Sequence, residues 1–541
     1  MTDSNAALPR PQSGHPPGLY VLFFAEMWER FCYYGMRTLL VLYLTKELLF
    51  ADNPAYGVYG AYTALVYAAP VLGGKLADEL LGYRRAVVMG GILMALGEFM
   101  LVGNGIVTEG NTLLFLGMGT IIIGNGYFKA NISSIVGKLY EEGDPRRDSG
   151  FTIFYMGINI GAVLATTVCG YVGEVYGYKW GFGLAGVGML IGITIFMLGQ
   201  GKLEGHGFAP DEKKLHEPWK GPLSRWHMSI LGSLAVIPVL YFLLVSEGAV
   251  ADAGADAAGW VNTVAMIQQK VLFGLSFVDV LLGVTMAIVV INLLRGANEA
   301  GKTAPPEKRT VQRDRMIVLF ILMIFNIMFW ALFEQAGTSL TLFADRAVDR
   351  QIDLLNWELP TTNTQAFNPA FIIIFGSVFS WMWVKLDKKG VNPNIPLKFA
   401  FGLIQLGCGF LILLVGASMV GSDYKVALVF LVVMYLLHTT GELFISPIGL
   451  SMVTKLAPAH LTGTVMGAWF LSFAFANKVA AGLAKLTGAE EGGAEGAEMA
   501  AQEVMNTYIG TYQTFGFVIV GVGVLLILLS GWLNKMMHGV K

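Results

Sequence analysis

Long apolar stretches, broken by short polar and glycine-bearing turns, run through the chain from residue 19 almost to its end. Stretches long enough to cross a bilayer as helices lie at 19–47, 56–80, 86–107, 112–139, 150–174 and 180–199. A second group lies at 313–343, 367–386, 396–419, 425–455, 461–486 and 507–535. Two more, 226–247 and 270–295, sit between the groups and are bracketed by charged linkers. The pattern predicts an all-α integral membrane protein, two six-helix bundles plus two extra helices between them, fourteen transmembrane helices in all. The predicted divisions are a disordered cytoplasmic tail at 1–18, an N-terminal bundle at 19–200, linkers with the two-helix insertion at 201–312, and a C-terminal bundle at 313–541.

Composition agrees with that class. The chain of 541 residues is 55% hydrophobic and 14% charged, against about 25% charged for soluble domains. The tail has no basic segment leading into a short apolar core, so it does not read as a signal peptide. Cys32, Cys169 and Cys408 all lie within apolar stretches and read as small core residues rather than a disulfide framework. The near-neutral net charge of −2 says little; what matters is where each sign sits. Loops on the side of the termini collect Arg84, Arg85, Arg146, Arg147, Lys213, Lys214, Lys388, Lys389 and many other basic residues. The opposite loops hold only Lys46, Lys179, Arg346, Arg350, Lys425 and Lys485. By the positive-inside rule both termini are expected in the cytoplasm.

One stretch breaks the apolar pattern. Glu26, Glu29, Arg30, Tyr33 and Arg37 fall within roughly a 100° arc of a single helix face, inside an otherwise greasy span. Charge at membrane depth costs about 3 kcal/mol per group on insertion scales, so it marks function. Further deep polar residues are Tyr67, Asn125, Lys129, Asn131, Tyr155 and Asn159 in the first group of spans. The second group adds Asn326, Glu334, Gln335, Asn368, Gln405, His438, Glu442 and Trp469. Both groups contribute, as expected for a central cavity with oppositely charged walls. The halves also echo each other: Gly73–Arg85 and Trp383–Gly390 each join an acidic residue, a glycine turn and basic residues at matching positions. Paired halves are a usual build of secondary transporters, and the first of these turns resembles the loop motif of the major facilitator superfamily.

Four motifs then converge on one family. Glu26-x-x-Glu29-Arg30-Phe31-x-Tyr33-Tyr34-Gly35 resembles the first-helix signature of the proton-dependent oligopeptide transporter family, a branch of that superfamily. Phe154-Tyr155-Met156-Gly157-Ile158-Asn159-Ile160-Gly161, Gly441–Gly449 and Trp469-Phe470-Leu471-Ser472 resemble its later signatures. Two extra helices between the halves are typical of bacterial members. The resemblance covers essentially the whole chain.

It implies a proton-coupled symporter that imports di- and tripeptides across the bacterial inner (plasma) membrane, as a functional monomer, with the proton as coupling ion and no cofactor. A zwitterionic peptide offers a carboxylate to Arg37, helped by Lys129, and an ammonium to Glu442. Asn159 and Asn368 suit the peptide backbone. Tyr33, Tyr67 and Trp469, with Ser472, line side-chain space. Proton coupling is expected at Glu26, Glu29 and Arg30 with Lys129. Two ion pairs between the halves are expected as gates, Arg37 with Glu334 on the outside and Lys129 with Glu442 on the inside. Animal relatives couple through a histidine on the second helix; the span 56–80 has none, so coupling rests on carboxylates alone.

Blander roles compete. Asn125, Asn131, Asn326 and Gln405 suit helix–helix hydrogen bonds as well as a substrate, and His438 suits a core imidazole. The acidic loop 488–503 reads as a solvated linker. The inserted pair 226–295 carries no charged interior stripe and is expected as a peripheral hairpin. An alternative cargo, such as nitrate or a peptide-like drug, fits the same scaffold, although a fixed Glu442 carboxylate repels an anion. No nucleotide-binding loop, metal cluster or catalytic triad is present in the sequence, so neither an enzyme, a pump nor a nucleic-acid partner is expected.

Overall fold

A computed structural model describes residues 14–108, 110–141, 144, 146–248, 259–272, 274–303, 306–458, 461–488 and 501–540. Most of the expected tail and of the acidic loop 488–503 lies outside the described residues. The helices are α1 (Pro17–Leu42), α2 (Asp52–Leu76), α3 (Tyr83–Gly103), α4 (Thr112–Lys138), α5 (Arg147–Leu164) and α6 (Tyr178–Gly199). Next come α7 (Arg225–Gly248) and α8 (Phe277–Thr303). The last six are α9 (Pro306–Phe333), α10 (Phe367–Lys388), α11 (Ile395–Ala417), α12 (Leu428–Leu456), α13 (Thr462–Ala484) and α14 (Ala501–Met536). Among the described residues, sheet is confined to pairs of strands of two or three residues.

Among the described residues, twelve helices are long and apolar enough to cross a membrane, and these are α3 to α14. The first two are as long, 26 and 25 residues, and fail only on polarity. In α1 the cause is the Glu26–Arg37 stripe; in α2 it is the tyrosines at 56, 59, 62 and 67. Burial explains how they persist: Glu26, Glu29 and Arg30 are shielded by α4, α5 and α6 rather than by lipid.

Helix ends follow local chemistry. Gly82 and Gly177 take φ of +74° and +116°, conformations only glycine adopts easily, and make the tight turns before α3 and α6. Pro17 at the first position of α1 suits a site with no intrahelical N–H bond. The expected span at 270–295 starts instead at Phe277. Ser276 and Asp279 cap each other there, Ser276 N–H donating to Asp279 Oδ2 (2.8 Å) and Asp279 N–H to Ser276 Oγ (3.1 Å). Such a reciprocal box fixes a helix start, and a separate helix, Gly259–Lys270, precedes it.

Within the first group, α1 packs on α5 and α6, and α3 on α4 and α6; in the last, α11 packs on α12 and α14, α9 on α13, and α10 on α12. Contacts between the groups run through α2 with α13 and α5 with α10. The inserted hairpin straddles them, α7 lying on α2 and α4, and α8 on α9 and α13. The expectation of a hairpin without interior charge is corrected here. Glu247 of α7 is buried and meets Lys478 Nζ of α13 at 2.6 Å, with Asp279 of α8 at 3.8 Å. An apolar cavity of about 1090 Å³ lies between the hairpin and α2, α4 and α13, lined by Leu72, Ile123, Gly126, Leu282 and Gly467 among others.

Candidate functional site

The α1 stripe assembles one buried charged cluster. Arg30 Nε lies 3.2 Å from Glu26 Oε1 and bonds Glu29 directly. Asn125 Nδ2 of α4 donates to Glu29 Oε1 (2.9 Å), so this asparagine serves the acid cluster. One oxygen of Glu26 and one guanidinium nitrogen of Arg30 keep no partner. Unmet polar capacity beside a matched charge pair is what a group that changes partners requires. The Arg30 guanidinium also lies over the Tyr33 ring, 5.3 Å from its centroid.

Two turns further along α1, Arg37 bonds Glu334, in the short 3-10 turn after α9. Its Nε donates to Tyr59 OH of α2 (2.6 Å), and its guanidinium stands near the Tyr34 and Tyr59 rings. Tyr59 was not among the expected site residues. It is the tyrosine of α2 whose hydroxyl reaches Arg37, a choice that residue type alone does not make.

Lys129 and Glu442 are not brought together. The Lys129 ammonium lies over the Tyr67 ring, 4.1 Å from its centroid, and joins no ion pair among the described residues. Tyr67 in turn stacks on Phe473 of α13. Glu442 Oε2 accepts from Asn368 Nδ2 (2.9 Å), and the same amide donates to Thr439 Oγ1 (3.0 Å). Asn159 donates to the Tyr155 carbonyl (3.0 Å), leaving its side-chain oxygen available. Trp469 is 1% exposed and packs against Gly449. The Ser472 hydroxyl donates to the Trp469 carbonyl (2.6 Å) and accepts from Asn326 of α9 (3.2 Å), so both sit in a helix–helix contact. Asn131 and Gln405 bond helix carbonyls, and His438 is buried between Phe410 and Phe333.

On the face away from the termini, polar contacts tie the two groups of helices together. Lys46 meets Asp345 (2.5 Å), Arg346 meets Asp52 (2.6 Å), and Glu174 accepts from the N–H of Thr361 (3.1 Å) and of Thr362 (2.6 Å). On the terminal face Arg84 bonds the His206 carbonyl and Arg85 bonds Glu212, both in the linker that follows the first group, and Arg315 bonds the Met537 carbonyl within the last group. Hydrogen bonds from Arg85 hold the Glu212 carboxyl below the usual range, and those from Arg146 do the same for Asp144. Tyr67, Lys129 and Asn368 stay partly accessible, and Tyr155 is 44% exposed.

Glu98 of α3 escaped the sequence inventory, which followed the α1 arc. It is wholly buried, and its contact is the Cys32 thiol at 3.6 Å. The signal was present: a lone carboxylate within Met94–Met100 carries the same membrane cost as Glu26. No group of three or more His, Cys, Asp and Glu side chains among the described residues is arranged to hold a metal.

The chain matches the sequence profile of a family described as POT family over residues 84–212 and 264–497. It is 36% identical over 503 residues to the peptide transporter YePEPT of Yersinia enterocolitica, covering 89% of this chain and 90% of that protein. It is 32% identical over 534 residues to dipeptide and tripeptide permease B of Salmonella typhimurium, covering 99% of each. Its fold is similar to a crystal structure of a peptide transporter POT bound to sulfate, with TM-score 0.75, 33% identity, and 98% and 97% of the two chains covered. A variant of that transporter bound to alafosfalin gives TM-score 0.74 at 34% identity, over 98% and 97% of the two chains.

Proposed function

The chain belongs to the POT family, and on that premise we propose that it is a proton-coupled symporter importing di- and tripeptides by alternating access. One observation carries the reading. The first group of helices supplies the cations Arg37 and Lys129, and the second supplies the carboxylates Glu334 and Glu442. A zwitterion laid between such walls finds a partner for each end. Arg37 with Lys129 takes the peptide carboxylate, and Glu442 takes the ammonium. Asn159 and Asn368 exchange their present bonds for the peptide backbone. Tyr33, Tyr67 and Trp469 bound the side-chain space, with Ser472 behind Trp469 holding it in place. This scheme reads ends and backbone, so side chains stay loosely specified.

Coupling lies in the Glu26–Glu29–Arg30 cluster with Lys129. When the peptide carboxylate draws Lys129 or Arg37 toward itself, a glutamate of α1 loses cationic support and keeps its proton. Inward release of the peptide returns the cation and frees the proton. Arg37–Glu334 acts as the outer gate and Lys129–Glu442 as the inner one. With the first pair made and the second apart, we read this conformation as open toward the terminal face. The basic loops support reading that face as cytoplasmic, and we count α1 and α2 as the first two of fourteen spans in the bacterial inner membrane. A monomer holds the whole site.

The test is uptake of a labelled dipeptide into proteoliposomes with the exterior acidified. Accumulation that collapses with a protonophore, and that unlabelled di- and tripeptides suppress more than tetrapeptides, is expected. Accumulation indifferent to the pH gradient, or suppressed by nitrate instead, would sink the reading.

A further inference from the structure

Glu98 has no task in the scheme above. It lies near the outer end of α3, wholly buried, with Oε1 accepting from Cys32 Sγ at 3.6 Å and Oε2 without a partner. The side chains around it are neutral. α1 presents Cys32, and behind it Glu29, already bonded to Arg30 and Asn125. α2 presents Tyr62, whose hydroxyl is likewise buried without a partner and lies in Coulombic range of Glu98 and Tyr33. The turn Ala165–Cys169 presents Cys169. α6 presents Gly186, where an added Cβ would stand 3.1 Å from that of Glu98, so no larger group fits.

The cations of these helices are elsewhere. Lys179 of α6 sits beside Gly105, about 10 Å of helix rise from Gly186. Lys129 and Lys138 of α4 lie over Tyr67 and Tyr83. Arg84 and Arg85 are at the far end of α3, about 20 Å along its axis. Glu26, Glu29, Glu247 and Glu334 each have a cation, and Glu442 has the Asn368 amide; Glu98 has a thiol. A buried carboxylate without a cation or several donors is the form this surrounding excludes, whereas the neutral acid needs only an acceptor for its O–H.

We propose that Glu98 is a second proton-binding residue of the transport cycle, filled in this conformation and emptied when α1 shifts against α3. The inference rests on the proton-coupled reading above. The step is a single ionisation: the Glu98 acid becomes a carboxylate, and the proton passes to water that enters beside it as α1 shifts. Arg30 lies about 200° around α1 from Cys32, so it is water, admitted as a movement of α1 withdraws the thiol, that solvates the carboxylate. The substrate cavity and Glu98 then lie on opposite sides of α1, and one helix movement reads both.

The decisive experiment compares wild type with Glu98→Gln in proteoliposomes. Gln mimics the neutral acid and cannot release a proton. pH-driven dipeptide accumulation is expected to fall at least tenfold, with counterflow, which needs no net proton movement, reporting that the protein is folded. Accumulation equal to wild type with an unchanged pH profile overturns the proposal and leaves Glu98 a neutral packing group. A wild type that ignores pH would instead remove the symport reading itself. Should Glu98→Gln fail to fold, Cys32→Ser decides. A hydroxyl donates more strongly to a carboxylate than a thiol does and favours the ionised form. The rise of uptake with acidity then moves to lower pH, and an unmoved profile overturns the proposal.

Discussion

Arg37 and Lys129 are both cations of the first group of helices at membrane depth, and the structure treats them oppositely. Arg37 is fully committed, to Glu334 across the cavity and to Tyr59 beside it. Lys129 rests on an aromatic face with no carboxylate attached. A cation–π contact gives about 0.5–2 kcal/mol, less than a buried ion pair loses when one partner is removed. The difference teaches where the molecule is closed and where it is poised. On the proposed reading, commitment marks the closed outer side, and Lys129, in no ion pair among the described residues, is available to an incoming carboxylate or a glutamate of α1.

Six single substitutions, taken from the largest effect to the smallest, sharpen or break this contrast. Lys129→Gln removes the uncommitted cation; pH-driven dipeptide uptake should fall about a hundredfold, the scale of losing one buried charge-assisted partner. Glu26→Gln and Glu29→Gln should match it, and if both still concentrate peptide against a gradient, the coupling assignment is wrong. Glu334→Gln frees Arg37 to behave as Lys129 does. Uptake should drop about tenfold, and a cysteine introduced at Thr38 should become reactive from the outer face. Unchanged reactivity and uptake would show that Arg37 is not a gate. Lys478→Met leaves Glu247 buried and unpaired, so the midpoint of thermal unfolding should fall by several degrees, with uptake within twofold of wild type. Adding Glu247→Leu should restore most of the stability; a double variant no better than the single would deny the tie.

Arg85→Ala is the smallest, at most about 0.5 kcal/mol, because the pair with Glu212 is solvent-screened. Its sign with pH is fixed. Glu212 is held below its ordinary value in the folded protein, so its contribution is present above the unfolded pKa and is lost as pH falls through the folded one. The wild-type advantage should therefore vanish in acid, seen as converging unfolding midpoints below about pH 4.

Much of this architecture was legible from hydropathy, since a bilayer leaves backbone few options but helices. What periodicity missed was set by single side chains. The start of α8 moved from 270 to 277 because Ser276 and Asp279 cap each other, an exchange invisible to an apolar count. Lys478 and Glu247 are far apart in sequence and meet only through packing, so an apolar hairpin proved to carry charge. The α1 cluster was legible because its members share one helix face. Tyr59 was not, since four tyrosines on α2 compete for the role and only the fold selects one. Glu98 was overlooked for the opposite reason: it has no periodic companions.

On the proposed gating, the ties on the face away from the termini also have a kinetic consequence. Arg37–Glu334, Lys46–Asp345, Asp52–Arg346 and Glu174 with Thr361 and Thr362 must all part before solute can enter from that side. At about 0.5–1 kcal/mol each, they hold the sealed arrangement in excess by on the order of a hundredfold. A molecule arriving from dilute solution therefore waits on a rare opening, and its half-saturating concentration is inflated by the same factor.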